Sequence, residues 1–175
     1  KCFYQKSKIP VPNVFLRITG TEKDSCLTDK NGAYRFSFNT NGYYLCIPFK
    51  PSGEDIGDET ITSFDASIAA QYTVGLVTFD SLQQKAADVD ENGKVDLTDI
   101  VSIARYVVGL PCIGSSHVGE WRFIPPFREY PRIPADCDSE NFSAIVLGDV
   151  SGNWTLPTGM NKSYSASVLP LDSMI

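Results

Sequence analysis

Residues 88–99, DVDENGKVDLTD, constrain this chain more than any other stretch, because they set oxygen-bearing side chains at alternating positions around a forced turn. Counted from Asp88, the side chains of Asp88, Asp90 and Asn92 fall at positions 1, 3 and 5. Gly93 at position 6 allows the sharp bend, Lys94 at position 7 offers its backbone carbonyl, Asp96 stands at position 9, and Asp99 closes the ring at position 12. Converging anionic oxygens repel one another unless a cation lies between them. The spacing is that of a twelve-residue calcium loop. Val95 at position 8 is apolar, as expected where one such loop pairs with another. The residues that follow repeat apolar side chains at Ile100, Ile103, Ala104 and Val107, which predicts a helix stopped by Gly109.

A displacement of 34 residues lays 61–76 over 95–110, matching Ile61 to Val95, Asp65 to Asp99, Tyr72 to Tyr106 and Gly75 to Gly109. This is an internal repeat of loop and helix. The first loop is damaged: Glu54, Ile56 and Asp58 occupy positions 1, 3 and 5, and Glu59 replaces the glycine. If the backbone shifts by one residue, Asp55, Asp58, the Thr60 carbonyl and Asp65 form a second, weaker candidate set.

Two loop-helix repeats with Asp rather than Glu at position 12, and no ordinary entering helix, resemble the type I dockerin module over residues 52–110. The resemblance implies a paired-loop fold with structural calcium and a cohesin partner gripped early in the helices. Here those contacts fall near Ala66 and Ser67, and near Ile100 and Val101, and the two pairs do not match each other.

Residues 1–50 read as strands and turns. Val14, Leu16 and Ile18 alternate, as do Tyr34, Phe36 and Phe38, and then Tyr43, Leu45 and Ile47; DKNG at 29–32 and NTNG at 39–42 are turn signals. These segments resemble the small Ig-like repeats of the carboxypeptidase regulatory and Cna B-type families, yet fifty residues fall short of a sandwich of about seven strands. The missing strands are expected at 120–130 (EWRFIPPFREY) and 141–149 (NFSAIVLGD).

The expected fold class is therefore α+β. An Ig-like antiparallel β-sandwich of residues 1–50 plus 114–150 carries an inserted helical dockerin-like module with EF-hand-type loops at 51–113, and 151–175 form a C-terminal tail or extra strand. Loop tips accept such insertions where entry and exit lie close. Residues 148–155, GDVSGNWT, place Asp149, Ser151 and Asn153 at alternate positions, but with no glycine at position 6 and no closing acid they read as a turn.

The net charge of −6 is uneven. Residues 51–112 hold eleven acids against Lys85, Lys94 and Arg105, a net of −8 that leaves +2 elsewhere. Acid concentrated in the repeats points to a cation and away from nucleic acid, which needs a basic face. No apolar run approaches the roughly 18 residues of a spanning helix. The chain opens at Lys1 without methionine or apolar leader, as a mature, processed or excised product does, and as any cut boundary does.

Five cysteines without a CxxC pair, beside one histidine, argue against zinc. With a calcium loop they suggest an oxidising, extracellular compartment and two disulfides, Cys112 to Cys137 and Cys26 to Cys46, with Cys2 left over or, alternatively, taking Cys46. Buried reduced thiols are the plain alternative.

No nucleophile motif accompanies the lone His117, so an enzyme is not expected. The expected function is a non-catalytic, secreted calcium-binding structural or assembly module making protein-protein contacts in a surface layer, fibre or multidomain surface protein, by self-assembly or with a partner. The alternative is a dockerin that anchors an assembly through a cohesin-like partner, and a more remote one is an accessory domain of a secreted hydrolase.

Overall fold

Two four-stranded sheets and three helices make up the computed structural model, which describes residues 1–5, 7–132 and 139–157. The strands are β1 (Cys2–Tyr4), β2 (Ile9–Pro10), β3 (Phe15–Gly20), β4 (Asp24–Leu27), β5 (Tyr44–Phe49), β6 (Trp121–Ile124), β7 (Arg128–Tyr130) and β8 (Phe142–Val146). Helices α1 (Ser63–Thr73), α2 (Ser81–Ala87) and α3 (Leu97–Val107) all lie between β5 and β6. One sheet runs β2-β1-β8-β6 and the other β4-β3-β5-β7, so each takes strands from both sides of the helices. Among the described residues, β1 and β8 pair in parallel and the other strand pairs are antiparallel.

Strand β3 shows why the sheets form. Leu16 and Ile18 point to the core while Arg17 and Thr19 do not, the period-2 alternation of a half-buried strand. Its partner β5 buries Tyr44 and Cys46, opposite Gly20 and Ile18. The sequence expectation had named the other set, Tyr43, Leu45 and Ile47; Tyr43 is in fact exposed. Both faces of β5 are apolar, so alternation alone cannot choose between them.

The predicted strand at 34–38 is absent: these residues are irregular, without ladder partners, although Tyr34, Phe36 and Phe38 pack on the core in a line of rings that ends at Tyr44. The turn before them forms as expected, with Asp29 accepting from the N–H groups of Asn31 and Ala33. Gly32 is required there. Its φ is +64°, and a Cβ would lie 2.3 Å from the Cys2 carbonyl oxygen.

The Pro125/Pro126 turn carries the chain from β6 in one sheet to β7 in the other. Entry and exit of the helical segment meet, since Gly53 N–H donates to the Gly119 carbonyl (3.1 Å) and Trp121 Nε1 to the Glu54 carbonyl (2.8 Å). Helices α1 and α3 pack together; α1 buries Ala66 and Ala69, and α3 buries Ser102 and Ile103. Each ends at a glycine with φ near +70°, Gly75 and Gly109, so the repeat seen in sequence is a repeat in space. Helix α2 was not foreseen. Its signal is the capping box Asp80-x-x-Gln83, whose two side chains satisfy each other's backbone N–H groups.

Neither proposed disulfide is formed among the described residues. Cys26 and Cys46 are both free, because β4 and β5 flank β3 on opposite sides and adjacent strands are already about 4.8 Å apart. Cys112 is free, with its thiol against the Ser102 carbonyl, and Cys137 lies outside the described residues. Cys2 is also free, buried on β1. Of residues 151–175, those at 151–157 are irregular, with no strand. No helix of the described residues is long and apolar enough to cross a membrane.

Candidate metal centre

The start of α3 organises the acidic loop. Asp96 caps the helix by accepting from Thr98 N–H (2.7 Å), and Asp99 reaches back to Asp96 N–H (2.8 Å). One oxygen of Asp96, Oδ1, is thus engaged as the cap of α3. The second oxygen of Asp99 accepts from Val89 N–H (2.9 Å) and Asp90 N–H (3.3 Å), which ties the end of the loop to its beginning. Asp88 accepts from Asn92 N–H (3.0 Å) and Gly93 N–H (2.9 Å), and Asn92 Oδ1 from Lys94 N–H (2.9 Å). Glu91 and Gly93 adopt left-handed backbone, φ +57° and +87°, which curls the loop back on itself.

These bonds bring carboxylate oxygens of Asp88, Asp90 and Asp99 within 4.8 Å of one another, with Asp99 fully buried. Burial pushes the Asp88 and Asp99 carboxyls up, the surrounding backbone N–H groups pull them down, and the charge on Asp90 raises both again. Hard oxygen donors converging in this way suit a hard dication of the calcium type.

The second candidate set is not brought together. Asp55 is buried in an ion pair with Lys50 (2.7 Å), whose ammonium lies over the Trp121 ring. Asp58 lies instead on a shallow hollow with Ile56, Gly57, Ile61, Tyr106 and Val107. Thr60 is buried, and Asp65 forms a capping box with Thr62. The other oxygen of Asp65 accepts from Ser151 N–H at 2.8 Å, in the segment read from sequence as a plain turn. Asp149 in that segment is fully buried; burial pushes its carboxyl up, and the Asp65 charge adds to this. The alternation of Asp149, Ser151 and Asn153 was visible in the sequence; the contact of this segment with Asp65, from a distant part of the chain, was not.

Around the acidic loop, Arg122 on β6 binds both oxygens of Glu91 at 2.8 Å, and His117 lies 3.2 Å from Glu120 and 3.9 Å from Glu91. The expected cohesin contacts divide: Ala66 is buried, Ser67 exposed, and Ile100 and Val101 half-buried. Phe64 and Leu97, at the starts of α1 and α3, stand out at 60% and 70% exposure.

Residues 56–108 match the family described as Dockerin type I domain. The chain is also similar to a protein of Ruminococcus flavefaciens described as a multidomain esterase, with 42% identity over 59 residues. That stretch covers 33% of this chain and 7% of the esterase. No solved structure matches the chain.

Proposed function

We propose that this chain is a non-catalytic, calcium-stabilised assembly module of a larger secreted protein, and that its dockerin-type helical pair docks a protein partner of the cohesin class. The observation that carries this reading is the convergence of Asp88, Asp90 and Asp99 at the capped start of α3, inside the stretch that matches the dockerin family. Asp88, Asp90, Asn92, Asp99 and the Lys94 carbonyl hold the ion, and the ion fixes the loop from which α3 departs. Calcium here is structural: it neutralises an acidic stretch that opposes compaction and adds stability by binding only the folded chain.

A docking role has surface to act through. Phe64, Leu97, Val74, Leu76, Val108 and Leu110 are all more than half exposed on α1, α3 and their ends, an apolar character that monomers seldom leave uncovered. The strands around the helices, and the likeness to a multidomain esterase, favour a part joined to other units over a free-standing one. A calcium-linked layer or fibre made of this chain alone is the second reading.

Calcium titration by calorimetry, with capture on a panel of immobilised cohesins, tests both halves. Binding heat in the wild type, with one site removed in Asp88→Ala/Asp99→Ala, is expected, as is capture that chelator abolishes. Absence of heat sinks the calcium assignment. Failure of capture with calcium bound, alongside calcium-dependent growth in particle size, turns the reading to self-assembly.

A further inference from the structure

We infer that the first repeat has a cation site of its own, split between distant segments: Asp149, Ser151 and Asn153 supply positions 1, 3 and 5, and the Thr60 carbonyl and Asp65 supply positions 7 and 12. The inference rests on the calcium reading above but does not follow from it, since the family match ends at residue 108.

The correspondence with the intact loop holds at several bonds, although Asp149 also accepts from the Tyr4 hydroxyl (2.5 Å) and from Gly152 N–H (2.8 Å). Asp88 accepts from the N–H groups four and five residues on, and so does Asp149, from Asn153 (3.2 Å) and Trp154 (3.1 Å). Asp99 accepts from the N–H at position 3, Asp90; Asp65 accepts from its equivalent, Ser151, at 2.8 Å. Position 2 is a fully buried valine in each, Val89 and Val150, and position 4 is left-handed in each, Glu91 at +57° and Gly152 at +72°. The break falls between positions 5 and 6. There Asn153 Nδ2 bonds the Glu59 carbonyl at 3.1 Å, so the severed ends meet where a continuous loop would run on. Thr62 and Asp65 box the start of α1 as Asp96 and Asp99 box that of α3.

Charge supplies an argument independent of this geometry. Asp65 and Asp149 are both fully buried; they accept from neutral donors, Thr62 on one and the Tyr4 hydroxyl (2.5 Å) on the other, and no lysine, arginine or histidine pairs with either among the described residues. Buried charges are ordinarily paired or bound to metal. The buried cation of this region, Lys50, is already taken by Asp55. The Ser151 and Asn153 side chains and the Thr60 carbonyl add only hard oxygens, the donor set of calcium. Trp154, where the intact loop has Gly93, does not continue the loop; it leaves for the core and packs against Tyr4 and Trp121.

Equilibrium dialysis of the full chain against calcium counts the ions. Two per chain are expected, falling to one in Asp88→Ala and to one in Asp65→Asn/Asp149→Asn. A single ion lost in Asp88→Ala overturns the split site and leaves the calcium reading standing; no ion at all removes both. Two ions in Asp65→Asn/Asp149→Asn also overturn it. Should that variant fail to fold, Ser151→Asp decides, because it makes 149–153 read DVDGN beside the DVDEN of 88–92. The added carboxylate should tighten the weaker site on the order of tenfold and leave the stronger unchanged; equal affinities in wild type and Ser151→Asp refute the proposal.

Discussion

Arg122, on the first strand after the helices, holds the carboxylate of Glu91 at both oxygens, each at 2.8 Å, and Glu91 is position 4 of the acidic loop. The guanidinium keeps the Glu91 carboxyl below its usual range. This fork joins the metal loop to the sheet. Both side chains are about a third or more exposed, so the pair is worth surface-pair energies, somewhat raised by its bidentate geometry. Arg122→Ala and Glu91→Gln should each lower stability by roughly 0.5–1 kcal/mol. In a double-mutant cycle from urea unfolding, the coupling should shrink as salt rises from 0.05 to 0.5 M, roughly a threefold fall in screening length. A coupling of zero at low salt would show that the fork is not formed in solution.

A second ion pair sits in a different medium. Lys50 and Asp55 are both buried, 2.7 Å apart, with Lys50 also donating to the Pro12 carbonyl (3.0 Å). They lie where β5 gives way to the helical segment. Removing one partner leaves an unpaired buried charge, at a cost of about 3–5 kcal/mol. Lys50→Met and Asp55→Leu should each approach that loss in urea denaturation. Combined, they should recover a large part of it, because no buried charge remains. A double variant as unstable as the sum of the singles would refute the pairing.

The elements that were legible in the sequence are those set by short-range chemistry. The loop at 88–99 and the start and stop of α3 lie within twenty-odd residues, where spacing, capping and a glycine stop agree. Strand β3 declared itself by apolar alternation, and β8 lies inside the stretch 141–149 expected as a strand. Legibility failed where the deciding partner is far away in the chain. Asp55 looked like a ligand from its place in the damaged loop, and only the fold buries it beside Lys50. Residues 148–155 looked like a turn lacking its acid, because that acid is Asp65. The Cys26–Cys46 expectation assumed neighbouring strands, and sheet order is a property that strand sequences do not encode locally.

Removing calcium tests how far the two parts fold together. The acid concentrated in 51–112 would, taken alone, have chelation melt the helices and spare the strands. The contacts argue otherwise. Gly148 N–H donates to the Ala86 carbonyl of α2 (2.8 Å), Ser151 to Asp65, and Trp154 Nε1 to the Asp55 carbonyl (2.7 Å), while the indole is fully buried beside Tyr4 and Trp121. Residues 148–154, the helices and the sheets therefore share one core. Thermal unfolding in chelator should show a lowered midpoint with helical and strand circular dichroism lost together. Helical signal disappearing well before the strand signal would establish two independent units.

Alkaline pH should expose the buried thiols. Cys2 on β1 and Cys46 on β5 are free and almost wholly shielded from water. Burial pushes each up to about 12, with Cys26 adding to the effect at Cys46. In the unfolded chain a cysteine ionises near pH 8.5. Between that pH and about 12 the unfolded state releases protons that the folded state retains, so ionisation pulls the equilibrium toward unfolding. The contribution of these thiols is complete below about pH 8 and is lost as pH rises, at up to about 1.4 kcal/mol per pH unit for each. Tyr34 and Tyr130, also raised by burial, act in the same direction at higher pH. Urea midpoints measured at pH 8, 9 and 10 should therefore fall in the wild type and fall less steeply in Cys2→Ala/Cys46→Ala. Equal slopes in the two proteins would mean that these side chains are not thiols buried in the native state.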